Sequence, residues 1–133
     1  MREILFRGKS VDNGEWFFGH FVHQYGADMI YLPDGTDREY GFDYYHINPD
    51  TVGQYTGLTD KNGKKIFEGD IVAGAVHWLE RTKNGVVAFE DGSFGLIWYR
   101  GEVEQFNPFT SMCNVEYEVI GNIHDNPELL KGE

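Results

Sequence analysis

The sequence predicts a mostly β protein of barrel-like or sandwich architecture, and three observations make the prediction. Glycine is abundant, at 17 residues against 4 prolines, and glycine-rich tight turns suit short strands better than long helices. Aromatic residues make up 16% of the chain, and pleated, half-buried surfaces favour them. Val115, Tyr117 and Val119 alternate with Glu116 and Glu118, the period of a strand with one buried face.

Residues 2–7 read as the first strand, with Ile4 and Phe6 on one side. Asn13-Gly14 follows, a strong hairpin signal because both residues tolerate positive φ. Residues 15–23 form the second strand. Trp16, Phe18 and Val22 share one face and Phe17 and Phe21 the other, so this strand is expected to be central or covered twice. Gly26 marks a bend, Asp28 to Leu32 a third strand, and Pro33-Asp34-Gly35 its end. Residues 34–50 carry Tyr40, Phe42, Tyr44 and Tyr45 without a clear period and read as irregular structure with one helical turn. A second Asn-Gly turn is centred in Asp60 to Lys64; Ile66 and Phe67 pack inward, and Gly69-Asp70 leads into a strand starting at Ile71. Val86–Phe89 and Phe94–Tyr99 flank Glu90-Asp91-Gly92-Ser93 as a hairpin. Asn126-Pro127-Glu128 opens one C-terminal helical turn, with an N-cap residue, Pro at the first position and an early acid.

A chain of 133 residues, 41% hydrophobic, has enough apolar material to fold without a disulfide or metal. The formal net charge is −11, from 22 acids and 11 bases. The excess is uneven: residues 1–67 hold 10 acids and 7 bases, residues 68–133 hold 12 and 4. Phosphate backbones repel such a surface, so nucleic acid is an unlikely partner and a basic protein surface a better one. The single cysteine, Cys113, permits no intrachain disulfide, and Ser111, Met112 and Asn114 beside it supply no base to activate it. The N-terminus has neither a long apolar run nor a cleavage site, and no stretch has the length of a membrane span. The expected location is the cytoplasm.

Nothing in the sequence assembles a recognisable active site: no catalytic residue, metal ligand or cofactor is assigned, and the binding residues are unknown. His20 and His23 fall on opposite faces of a strand, and His46, His77 and His124 are far apart. The acid pairs Glu90/Asp91 and Glu102/Glu104 read as a turn and a solvated strand face. The Gly57 to Gly63 stretch lacks the ending of a phosphate-binding loop, and Lys61, Lys64 and Lys65 beside it form the only basic cluster. Trp98-Tyr99-Arg100, and after them Tyr44-Tyr45, are the best candidates for base stacking, but core packing or a protein interface explains them with fewer assumptions.

Three stretches together resemble the YopX family, small proteins of bacteriophages and prophages. They are Arg2 to Val22, with Ile4-Leu5-Phe6-Arg7 and Gly14-Glu15-Trp16-Phe17-Phe18-Gly19; Gln54 to Val72, with Tyr55-Thr56-Gly57-Leu58-Thr59-Asp60 and Phe67-Glu68-Gly69-Asp70; and Tyr117 to Leu130, with Ile120-Gly121-Asn122-Ile123-His124-Asp125. The resemblance implies a β-rich N-terminal subdomain, residues 1–66, followed by a small SH3-like barrel with a short C-terminal helical turn, residues 67–133. It also implies self-association and expression in a bacterial cytoplasm from phage-derived DNA. It implies no activity and no catalytic residues. The functional expectation is therefore a non-enzymatic protein-binding or assembly module, with a host protein or a second copy as partner. The alternatives are a nucleic-acid-binding barrel and a small enzyme with an unrecognised site.

Overall fold

The computed structural model describes residues 3–33, 43–73, 84–109 and 117–130, Arg100 by its backbone alone. The protein is mostly β, with antiparallel sheets and no helix longer than a single 3-10 turn among the described residues. Two compact units are present, Met1–Tyr55 and Thr56–Glu133.

In the first unit the strands are β1 (Phe6–Lys9), β2 (Trp16–Gln24), β3 (Ala27–Tyr31), β4 (Tyr44–His46) and the start of β5 (Gly53–Thr59), in the order β4-β3-β2-β1-β5. The first strand begins four residues later than the sequence suggests and runs on to Lys9. Its turn at Asn13-Gly14 is a four-residue loop: the Ser10 and Glu15 backbones close it at 2.9 Å, and Gly14 takes φ 72°. As expected, β2 is central, between β1 and β3. Its odd residues share a face with the buried Ile30: Phe17 stacks on Tyr45 at 3.8 Å and Phe21 lies 6.0 Å from Phe6. Gly19 is required on this strand, because a Cβ there would collide with the Tyr31 carbonyl.

The expectation of irregular structure over 34–50 needs correction. Tyr44–His46 is a strand paired with β3, and Pro49–Thr51 is the helical turn, capped by Asn48 Oδ1 accepting from Asp50 N. The aromatics hid the strand: Tyr44 and Tyr45 point to opposite faces and both find rings, so no polar alternation remains to be read. Residues 34–42, with Tyr40 and Phe42, lie outside the described residues.

In the second unit, the end of β5 and β6 (Lys65–Phe67) flank the predicted Asn62-Gly63 turn. A five-stranded sheet follows: β7 (Asp70–Ala73), β8 (Gly85–Glu90), β9 (Ser93–Arg100), β10 (Val103–Pro108) and β11 (Glu118–Asn122), ordered β10-β9-β8-β7-β11. The predicted hairpin at Asp91-Gly92 is a two-residue turn with φ 51° and 80°, closed by Glu90 opposite Ser93. The strand face expected at Glu102/Glu104 is the start of β10, which runs on to Pro108. It pairs with β9 over six residues, and its polar, Pro-ended composition obscures its length. The alternating strand expected at 115–119 begins at Glu118 and bulges between Val119 and Gly121; Val115 and Glu116 lie outside the described residues. No closed barrel forms among the described residues.

Ile66, Val72, Val87, Leu96, Trp98, Phe109 and Tyr117 make this unit's core. Each large aliphatic among them contributes about 1.5–3 kcal/mol by leaving water. Two buried carboxylates hold the loops to it. Asp70 Oδ2 accepts from Phe67 N at 2.8 Å. Asp60 accepts from Asn62 N and Lys64 N within its own turn, and from Val119 N on β11.

Candidate functional site

Alternation along a strand sends neighbouring side chains to opposite faces, and that decides which aromatics reach the surface. On β9, Trp98 is buried in the core while Tyr99 is 51% exposed. On β4, Tyr45 stacks inward on Phe17 while Tyr44 is 41% exposed. Neither candidate stacking pair therefore forms a platform by itself, and core packing accounts for Trp98 as expected. The Arg100 side chain, Cys113 and His77 lie outside what the structure describes.

A different aromatic surface is assembled across strands of the first unit. Register pairs His20 with Tyr31 and Tyr31 with Tyr44, so these residues share a face with Phe18 on β2 and His46 on β4. Tyr31 and Tyr44 stack at 5.0 Å, and His46 meets Tyr44 edge-on at 5.7 Å. Phe18 is 43% exposed. None of these five side chains is Asp, Glu, Lys or Arg, and Arg7 is the β1 register partner of Phe18 on the same face. Arg7 and Lys9 lie over the neighbouring Trp16 ring at 4.7 and 5.7 Å. Sequence reasoning missed the row because its members come from three strands. The available signal was the even-numbered alternation Trp16, Phe18, His20, Val22.

The second unit has a cavity of about 260 Å³ walled by Val86, Ile97, Trp98, Tyr99 and Leu130. Asn84 Nδ2 donates to Leu129 O at 2.9 Å and ties the C-terminal turn beside it. The Tyr99 hydroxyl donates to Glu104 Oε1 at 3.1 Å; that bond, the Glu104 charge and burial raise the phenol pKa. With the Asn107 amide oriented to face it, the Trp98 indole N–H donates to Asn107 Oδ1 at 3.1 Å. A phenol held neutral and an occupied indole and amide can position an apolar group, but they activate no nucleophile.

The remaining candidates are separated in the structure. His20 and His23 sit opposite Tyr31 and Asp28, on different faces, and His23 Nδ1 pairs with Asp28 Oδ1 at 2.8 Å. His124 lies in the turn after β11, where its backbone N donates to Asn122 Oδ1. Glu90 closes the β8–β9 turn that Asp91 occupies, and Glu104 holds Tyr99. Lys61 pairs with Glu118 at 3.5 Å. Among the described residues no three His, Cys, Asp or Glu side chains gather as a metal site would require. Among them, too, no helix is long and apolar enough to cross a membrane.

The family model of the YopX protein matches residues 5–131, nearly the whole chain. The chain belongs to the YopX family. This YopX chain is similar to a solved structure, the crystal structure of protein EF1440 from Enterococcus faecalis, at 26% identity and a TM-score of 0.54. That likeness covers 98% of this chain and 100% of the other. No curated protein matches. Both the aromatic row and the cavity lie within the residues matched by the YopX model.

Proposed function

We propose that this YopX chain is a non-enzymatic protein-binding or assembly module, encoded by phage-derived DNA and acting in the bacterial cytoplasm. The observation that supports it is the aromatic row Phe18, His20, Tyr31, Tyr44 and His46, which holds no Asp, Glu, Lys or Arg, on a protein of net charge −11. Interface centres are depleted in charge and enriched in Tyr and Phe, and this row has both properties. In the same reading the second unit is an SH3-like barrel. The order β11-β7-β8-β9-β10 supports that: a four-strand meander whose fifth strand returns beside the first.

The test pairs light scattering with affinity capture from a bacterial lysate. A captured protein, purified and measured directly, is expected to bind the paired variant Phe18→Ser/Tyr44→Ser at least tenfold more weakly than the wild type. Both rings are already half in water, so the variant keeps its fold by circular dichroism. A strictly monomeric protein that captures nothing refutes the proposal.

Lys9 over the partly exposed Trp16 ring favours a second reading, binding of single-stranded nucleic acid. A gel shift at low salt decides it. No retardation at about 50 µM protein, within the range of non-specific binding, ends that reading.

A further inference from the structure

The β2–β3 hairpin ends in a turn that its own fold does not explain. Gln24 and Ala27 face one another, so the loop between them is the two residues Tyr25 and Gly26, with φ 55° and 76°. The β8–β9 turn is its near-duplicate, with Asp91 and Gly92 at 51° and 80°. In this conformation both central residues need positive φ, which Gly, Asn and Asp tolerate and a bulky aromatic residue rarely adopts. The chain places Asp at that position in one hairpin and Tyr in the other. The strain of Tyr25 is therefore not a requirement of the turn.

Nor does the side chain repay the strain by packing, because Tyr25 is 96% exposed. Beneath it the hairpin is braced by the His23–Asp28 pair across the two strands. The hairpin thus carries a solvated phenol ring at its tip and also supplies Phe18, His20 and Tyr31 to the aromatic row. Backbone strain without local return points to a contact made with another molecule.

We propose that Tyr25 is the anchor residue of this protein's binding surface, inserted into an apolar, phenol-sized pocket with a cationic rim on a different protein. The proposal rests on the protein-binding reading and names its contact. Tyr is among the residues that dominate interface energetics, and a cation against its ring face adds attraction. Charge selects the partner's chemistry. Residues 1–55 hold 9 acids and 4 bases, and the whole chain carries −11, so a second copy is repelled and a basic surface is drawn in.

The test uses the full chain with a photo-crosslinking phenylalanine analogue in place of Tyr25, Phe18 or Tyr44, exposed to bacterial lysate, each adduct being identified and its protein purified. Expected is one discrete adduct at position 25 with a protein other than this chain. That protein should bind Tyr25→Asn at least tenfold more weakly than wild type, and bind wild type less tightly as salt rises. Tyr25→Asn also installs a favoured Asn-Gly turn, so its Tm should rise by about 2–5 °C. A fall in Tm would make Tyr25 a structural residue and overturn the proposal. Adducts only at 18 or 44, a self-adduct at 25, or a partner that binds Tyr25→Asn within twofold of wild type would overturn it while leaving the protein-binding reading standing. No adduct at any of the three positions would remove both.

Discussion

Removing the Asp60 carboxylate should loosen the second unit more than any other single surface-turn substitution. Asp60 is 6% exposed and accepts three backbone hydrogen bonds, from Asn62 N at 2.8 Å, Lys64 N at 2.9 Å and Val119 N at 3.0 Å. The three losses are unequal. Asn62 and Lys64 lie in an exposed turn where water replaces the carboxylate, so each costs about 0.5–1 kcal/mol. Val119 N sits on β11, against the core, and losing its acceptor costs about 1–3 kcal/mol. Asp60→Ala should therefore destabilise by about 3 kcal/mol, lowering Tm by roughly 10 °C. Asp60→Asn keeps one oxygen for the turn but turns an NH₂ toward one of the donors, and should cost about 2 kcal/mol. Differential scanning calorimetry on the three proteins measures the order. An Asp60→Ala Tm within 3 °C of wild type, or an Asn variant less stable than the Ala variant, refutes the assignment of Asp60 as the tie between turn and strand. Acid gives an independent check. Burial raises the Asp60 pKa, but the three backbone donors and the Lys64 charge outweigh it, and the net shift is downward. A depressed folded pKa means that the stabilisation is complete above the unfolded value near 3.8 and is lost as pH falls through the folded one. That part of the acid destabilisation should vanish in Asp60→Asn.

Three further outcomes follow from the same geometry. Burial pushes the Tyr117 phenol up to about 12, so spectrophotometric titration of the folded protein should show a late phenolate step that Tyr117→Phe removes. Because the folded pKa exceeds the unfolded value of 10.0, wild-type stability should hold below pH 10 and decline as pH approaches 12, a decline weaker in the variant. Gly95→Ala should cost about 2–3 kcal/mol in urea denaturation, since its methyl group would meet Asn107 O, the Phe106 ring and Pro108 Cα on β10. Leu96→Ala, at a fully buried position in the core, should cost about 2–5 kcal/mol in the same assay.

The parts of the fold legible in the sequence were those with local causes. Asn62-Gly63 and Asp91-Gly92 dictate their turns through φ, and Asn126-Pro127 announces its helical turn wherever the rest of the chain goes. What stayed hidden was decided by partners distant in sequence. Tyr44–His46 is a strand because Met29, Ile30 and Tyr31 lie opposite it, and the strand at Glu104 runs on to Pro108 because residues 95–100 lie opposite it. Neither segment has alternation strong enough to mark its bounds.

The candidate surface was hidden for the same reason. Searching for adjacent aromatics selects Trp98-Tyr99 and Tyr44-Tyr45, which a strand must separate onto opposite faces. The rings that do share a surface are two apart on one strand, as Phe18 and His20 are, or paired by register, as Tyr31 and Tyr44 are. Tyr25 belongs to neither class. It was readable only as the wrong residue in the right turn: a two-residue hairpin ending in Gly calls for Asn, Asp or Gly before it, and the chain supplies Tyr there while supplying Asp in the matching hairpin. A local rule broken in one of two equivalent places separates what folding requires from what it merely tolerates, and so locates a demand that comes from outside the fold.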